Sequence, residues 1–268
     1  MLKTTPKSVY VAPRKSAKSI SEDDALDTYI GFLAMYSYAQ DSRSTRRKLP
    51  ASIEGKMGAI FDASDLASPL AYGAPQTALV LMDFQNFIIA RAPEIGKVAV
   101  TRAQMMREWA LKQKMMVLHS IVNIHAQPPP TCKGFERITK MLEEAVKDPS
   151  AGEEPAEIAF NRQEHEYIAF KSPGHNSALK SQGAMDILRE HDIRSLILCG
   201  LSTSGCVLRT SIGATDEGFV VSAIEDACAD PVPGLHDTLI KRVLPSRAHV
   251  ATAEEFVRRW DGEGSNQQ

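Results

Sequence analysis

The segment Ser195–Pro231, SLILCGLSTSGCVLRTSIGATDEGFVVSAIEDACADP, decides how the chain folds. Leu196 to Cys199 is a short apolar run closed by Gly200, the mark of a buried strand. GLSTSGC then supplies a turn of glycine and small hydroxyl residues, and VLRTSIGATDEGF brings apolar residues at helical spacing. A second β-rich run, Phe219 to Ile224, follows Gly218. Cys206 therefore falls at a strand-to-helix corner, on or just before the first helical turn. Unpaired backbone N–H groups at such a corner, with the helix dipole behind them, favour a thiolate over a thiol and can also hold an oxyanion. A nucleophile is expected there.

Working outward, the same strand-then-helix pattern recurs. Thr77 to Met82, TALVLM, is apolar throughout, as in strands buried on both faces. It ends at Asp83, a carboxylate at the carboxyl end of a central strand, followed by Phe84, Gln85 and Asn86. The spacing predicts a helix over Glu94–Lys114 and a second strand over Met115–Ile124. A proline-rich loop, Ala126–Cys132, leads to a helix over Phe135–Lys147. The polar stretch Asp148–Glu166 is too long for a simple connector and is expected to be a lid or specificity loop. Tyr167–Phe170 is a third strand ending at Lys171, and Asn176–His191 a helix returning to Leu196. Downstream, a helix over Val232–Leu244, a short strand His249–Thr252 and a helix Ala253–Trp260 complete the pattern.

Strands alternating with helices require an α/β fold: a doubly wound, mainly parallel, six-stranded Rossmann-like sheet with helices on both faces. In the common order 3-2-1-4-5-6, the first and fourth strands are neighbours at the switch point, and ligands bind beyond their carboxyl ends. Asp83 and Cys206 stand at those ends, and Lys171 ends the third strand. Three segments thus deliver an acid, a base and a thiol to one crevice.

This domain is expected over 76–260. An N-terminal extension, 1–75, carries one amphipathic helix over Asp24–Gln40, suited to a subunit contact, and 261–268 is a loose tail. The 268 residues carry a formal net charge of −2. That gives no electrostatic reason to expect a nucleic acid or an anionic membrane as partner. Apolar runs are only strand-length, so none spans a bilayer. Four cysteines without CxxC spacing fit a reduced, cytoplasmic compartment. The first twenty residues hold five Lys or Arg and no acid, as transit peptides do, but Pro6 and Pro13 interrupt any amphipathic helix there. Cys199 and Cys228 read as core, and Cys132, in the proline-rich loop, as incidental.

Asp83 in LVLMDFQNF, Lys171 in YIAFKSPGHNSAL and Cys206 in LCGLSTSGCVLRTSIGATDEGF resemble the Asp, Lys and Cys of the isochorismatase-like cysteine hydrolases. That superfamily includes nicotinamidases, N-carbamoylsarcosine and biuret amidohydrolases and ureidoacrylate hydrolases. The resemblance covers about Thr77 to Phe256. It implies a catalytic triad of Asp83, Lys171 and Cys206, a cis peptide bond between Leu201 and Ser202, and an oxyanion hole from the N–H groups of Ser202 and Cys206. It further implies a homodimer or homotetramer, and cleavage of a C–N bond in a small amide, imide or ureido substrate through a thioester. Relatives that bind a metal use an Asp-x-His after the second strand; here the place reads Asn123-Ile124-His125. An amide in place of the carboxylate removes the anionic ligand, so neither metal nor cofactor is expected, and nicotinamide is disfavoured as substrate. Gln85, His125 and His175 are candidates for substrate contact. Vinyl-ether hydrolysis, as in isochorismatase itself, and a non-enzymatic scaffold are the alternative functions. Cys206 argues against the first and the complete triad against the second.

Overall fold

β1 (Thr77–Met82) is buried at every position. Because side chains alternate along a strand, Leu79 and Leu81 enter one core and Ala78, Val80 and Met82 the other. A strand that needs apolar cover on both faces belongs in the middle of a layered sheet. The computed structural model, which describes residues 61–264, places it there. The other strands are β2 (Met116–Val122), β3 (Glu166–Lys171), β4 (Ser195–Leu201), β5 (Val220–Ala229) and β6 (His249–Ala251). All pair in parallel, in the order β3-β2-β1-β4-β5-β6. This is the doubly wound order expected from the alternation of elements.

Seven α-helices are described: α1 (Asn86–Ile89), α2 (Pro93–Lys112), α3 (Phe135–Ala145), α4 (Ala184–Glu190), α5 (Leu208–Asp216), α6 (Leu235–Thr238) and α7 (Ala253–Gly264). Pro93 opens α2, where its missing N–H has no intrahelical partner to lose, with Glu94 in the first turn and Lys112 in the last. The buried stripe Ala99, Ala103, Met106 and Ala110 lays α2 on the Leu79 and Leu81 face. On that face Trp109 meets Phe256 and Trp260 of α7 edge-on at 5.9 and 5.6 Å, and Phe61 joins Phe256 at 5.3 Å. Leu188 of α4 and Ala214, near the end of α5, cover the opposite face with Val80, Met82 and Leu198.

Several elements depart from the periodicity. The helix expected over Asn176–His191 is only α4, preceded by a 3-10 turn, Ala178–Lys180. Ser177 Oγ accepts the Leu179 N–H at 3.3 Å, and Gly183 takes a left-handed φ of 76°, so the backbone leaves helical geometry before α4 starts. The helix expected over Val232–Leu244 is divided into α6, a π-helical turn Leu239–Val243 and a 3-10 turn Leu244–Ser246. Gly234, at φ 73°, delays its start and Pro245 ends it.

β2 stops at Val122 rather than Ile124, because Asn123 Oδ1 accepts the His125 N–H at 3.0 Å and turns the chain. β5 outruns the expected Phe219–Ile224 and reaches Ala229, since an irregularity lets Cys228 and Ala229 pair with Gly200 and Leu201. α7 continues past Trp260 to Gly264. Of the N-terminal extension, the described part consists of turns, with 3-10 pieces at Pro69–Ala71 and Ala74–Gln76. The helix expected over Asp24–Gln40 lies outside the described residues.

Candidate active site

Each of the three expected reactive residues stands at the carboxyl end of a strand or just past it. After Met82 the backbone turns sharply: Asp83 has φ 60° and donates its N–H to Ser120 O at 3.0 Å. Asp is one of the few side chains that accept this left-handed conformation readily. The turn takes the carboxylate out of the strand's line and into the crevice. Lys171 belongs to β3, which lies beyond β2, and must reach across. The register allows it, for Met82 pairs with Ser120 and Ser120 with Ala169, which leaves Lys171 two residues further up the sheet. Its Nζ donates to Asp83 Oδ2 at 2.7 Å and to Asn176 O at 3.0 Å, with the side chain only 1% exposed.

Cys206 follows β4 through Ser202 and a π-helical turn, Thr203–Val207, that runs into α5. The Leu201–Ser202 peptide bond is cis. The corner is held from outside: Asp230, at the end of the extended β5, accepts the Ser204 N–H at 2.8 Å and the Val232 N–H at 3.1 Å. Thr203 Oγ1 meets His236 Nδ1 at 2.8 Å. From inside it is held by closeness, because a Cβ on Gly200 would lie 2.8 Å from Met82 O and 3.1 Å from Cys206 Sγ. Only glycine lets β4 and the thiol approach β1 so nearly.

Asp83 and Cys206 line a single cavity of about 500 Å³. Lys171 stands behind Asp83 rather than on the cavity wall. Ser202, Ser204 and Gly205 complete the floor near the thiol, Phe87, Ile88, Ile138 and Met141 make an apolar side, and Arg91, Lys133 and Arg137 also line it. Burial pushes the Asp83 carboxyl up, against the pull of Lys171. Burial, and then the Asp83 charge, push the Cys206 thiol well above its ordinary value. The thiolate expected from a helix terminus is corrected to a thiol held towards its neutral form, because a π turn stands at the corner and the sulfur is buried beside Asp83. The thiol contacts Ser202 O at 3.6 Å, and Asp83 Oδ1 is buried without a hydrogen-bond partner, free to accept a proton.

The other candidates divide. His175 lines the cavity. Gln85 does not: it is buried, its Nε2 donates to Val122 O and Gly152 O at 3.0 and 2.9 Å, and its Oε1 accepts the Val122 N–H at 2.8 Å. Its amide is spent on backbone, so the substrate-contact expectation is corrected to a structural clamp. His125 lies in a separate depression with Gln127, Thr139 and Val146, away from the thiol, because the Asn123 turn carries it outward. Cys132, read as incidental, lines the cavity, whereas Cys199 and Cys228 are buried in the sheet. Asp230 escaped the sequence reading; the signal was an acid directly before Pro231 at the end of a β-rich run. Among the described residues no group of three or more His, Cys, Asp or Glu side chains is placed to hold a metal ion.

A sequence model of the Isochorismatase domain matches residues 77–255. The chain belongs to the isochorismatase family. Within that family it is 32% identical to isochorismatase domain-containing protein 2 of Xenopus laevis over 63 residues, which is 24% of this chain and 31% of that protein. The match thus spans about a third of the relative's length. Among solved structures, an isochorismatase family protein from Burkholderia thailandensis superposes with a TM-score of 0.57 at 19% identity, covering 70% of this chain and 96% of the other. N-carbamoylsarcosine amidase from Thermoplasma acidophilum gives 0.53 at 21%, covering 67% and 97%. The family model's match runs from residue 77 to residue 255, and the solved structures share the fold.

Proposed function

We propose that this isochorismatase-family chain is a cysteine hydrolase that cleaves a C–N bond of a small amide, imide or ureido compound. The observation that carries the reading is the 2.7 Å contact of Lys171 Nζ with Asp83 Oδ2, beside a cavity whose floor holds Cys206. Asp83 takes the thiol proton as Cys206 Sγ bonds to the substrate carbonyl carbon. Lys171 opposes the upward push of burial on Asp83 and supports the thiolate once the proton has moved. The N–H groups of Ser202 and Cys206 receive the oxyanion, a contribution worth about 3–4 kcal/mol in other acyl transfers. Asp83, now a carboxylic acid, returns the proton to the nitrogen as the C–N bond breaks, leaving a thioester. Water adds to the thioester carbon, giving its proton to Asp83 and thence to sulfur, and releases the acid. No charge is gained or lost by the site in the cycle, which suits a buried location. The N-carbamoylsarcosine amidase neighbour fits amide hydrolysis on this fold.

A screen of small amides and ureides for release of ammonia, with Cys206→Ala as control, tests the reading. Turnover that disappears in Cys206→Ala is expected; turnover that survives there refutes the mechanism.

A further inference from the structure

The walls of the cavity carry an imbalance of charge that the hydrolytic chemistry does not use. Of its lining side chains the acids are Asp83 and Asp230. Asp83 is paired with Lys171, and both oxygens of Asp230 accept backbone N–H groups. The lining cations are Arg91, just past α1, Lys133, just before α3, and Arg137, in the first turns of α3. Arg91 Nη1 reaches only the Met141 thioether, at 3.7 Å. Among the described residues none of the three cations forms an ion pair with a carboxylate. Solvent reaches all three, and the same cavity that holds the thiol also has apolar lining, Ile88 and Ile138 included. Charge of one sign at a cleft with low-dielectric walls focuses its field inward and raises the local concentration of counter-charged ligand. Guanidinium groups additionally match the planar, two-oxygen geometry of a carboxylate.

We propose that the substrate is an anionic amide or ureide, its reacting carbonyl over Cys206 and a carboxylate held by Arg91 and Arg137 with Lys133 beside them. This rests on the hydrolase reading and names its substrate class.

The test needs no known substrate, because iodoacetate and iodoacetamide are similar in size and differ in charge. With either reagent, sulfur bonds to the methylene carbon, iodide leaves and the thiol proton passes to Asp83. Alkylation of Cys206 is followed by peptide mass spectrometry at low ionic strength, and the iodoacetate-to-iodoacetamide rate ratio is compared with that of 2-mercaptoethanol, a neutral free thiol. The ratio at Cys206 is expected to exceed the free-thiol ratio about ten-fold. It should collapse towards that reference in 0.5 M sodium chloride, where the screening length is under about 5 Å. The double variant Arg91→Gln/Arg137→Gln should lose the preference, Arg91→Lys/Arg137→Lys should keep most of it, and Arg137→Glu should invert it. A wild-type ratio equal to that of the free thiol, or a preference surviving in the double Gln variant, overturns the inference while leaving the nucleophile intact. Silence of Cys206 towards both reagents overturns the nucleophile and the inference together.

Discussion

Burial pushes the Cys206 thiol and the Asp83 carboxyl in one direction, towards the protonated form, and Lys171 opposes both. Asp83 and Cys206 thus share two protonation patterns of equal net charge, carboxylate with thiol or carboxylic acid with thiolate, and are coupled to each other. The consequence for Asp83→Asn is a separation of two activities. Hydrolysis of any amide the wild type accepts should fall about 10²–10⁴-fold, because no acid remains for the departing nitrogen. Alkylation of Cys206 by iodoacetamide at pH 7 should continue, since the unpaired Lys171 ammonium now favours the thiolate. Steady-state assays and labelling on one preparation check both halves. At Gly200 the expectation is steric. Gly200→Ala puts a methyl 2.8 Å from Met82 O and should cost about 1–3 kcal/mol in urea unfolding while displacing the thiol. The positions of Asp83, Lys171 and Cys206 were legible in sequence because each lies at or just past the end of a recognisable strand. The thiol's electrostatics were not, because burial of a sulfur is set by β1, β4 and α5 together. Gln85 was misread for a similar reason: its partners, Val122 and Gly152, are far off in the chain.

Between elements, Gln85 joins the end of β1 to the end of β2 and to the loop before β3. Asn86 and Phe87 donate their N–H groups to Glu153 O and Ala151 O at 2.9 and 3.0 Å, so that loop also fixes α1, whose Phe87 and Ile88 line the cavity. Gln85→Leu leaves a buried N–H and two carbonyls without partners, each worth about 1–3 kcal/mol when left unsatisfied. The expected loss is about 3 kcal/mol by chemical denaturation, with faster amide exchange over 150–154. The core strands β1, β2 and β4 were readable because buried parallel strands are runs of apolar residues of limited length. The end of β5 was not, since Glu225 and Asp226 look like a turn when only the sequence is read. In the fold they sit at the irregularity, where Asp226 caps Ala253 at 2.8 Å and meets Arg102 Nε at 3.2 Å. The broken helices after Lys171 and after Pro231 had the opposite fault: their apolar spacing is helical, but Gly183 and Gly234 adopt positive φ.

Across the whole molecule, a buried charged network ties the long loop to the sheet on the side away from the thiol. His119 of β2 bonds Glu154 through Nδ1 at 2.9 Å and Glu166 through Nε2 at 3.1 Å, and Arg107 of α2 meets Glu166 Oε1 at 2.6 Å. Burial would lower His119, but its two carboxylate partners outweigh that and raise it. Burial would raise Glu166, but His119, the Asn161 N–H and Arg107 together hold it at about 2. A raised His contributes stability that is complete below its ordinary value of 6.5 and is lost as pH climbs through the raised one. A depressed Glu contributes above its ordinary 4.5 and loses that contribution as pH falls towards 2. The stability difference between wild type and Glu166→Gln should therefore be greatest from about pH 5 to 7, at about 3–5 kcal/mol, and should shrink by pH 3. Urea unfolding at several pH values measures it. The acid ends of this network were visible in the sequence only as parts of a polar excursion, because no local pattern shows which carboxylates will be buried.

The central claim is that Asp83, Lys171 and Cys206 work as one unit, and the most direct test is the pH profile of Cys206 alkylation in the wild type and in Asp83→Asn/Lys171→Met, which removes both charges together. If the thiol passes its proton to Asp83, the wild-type rate will be nearly level across neutral pH, whereas the neutral variant will react slowly and rise about ten-fold per pH unit, as a buried thiol must. Superimposable profiles would contradict the account.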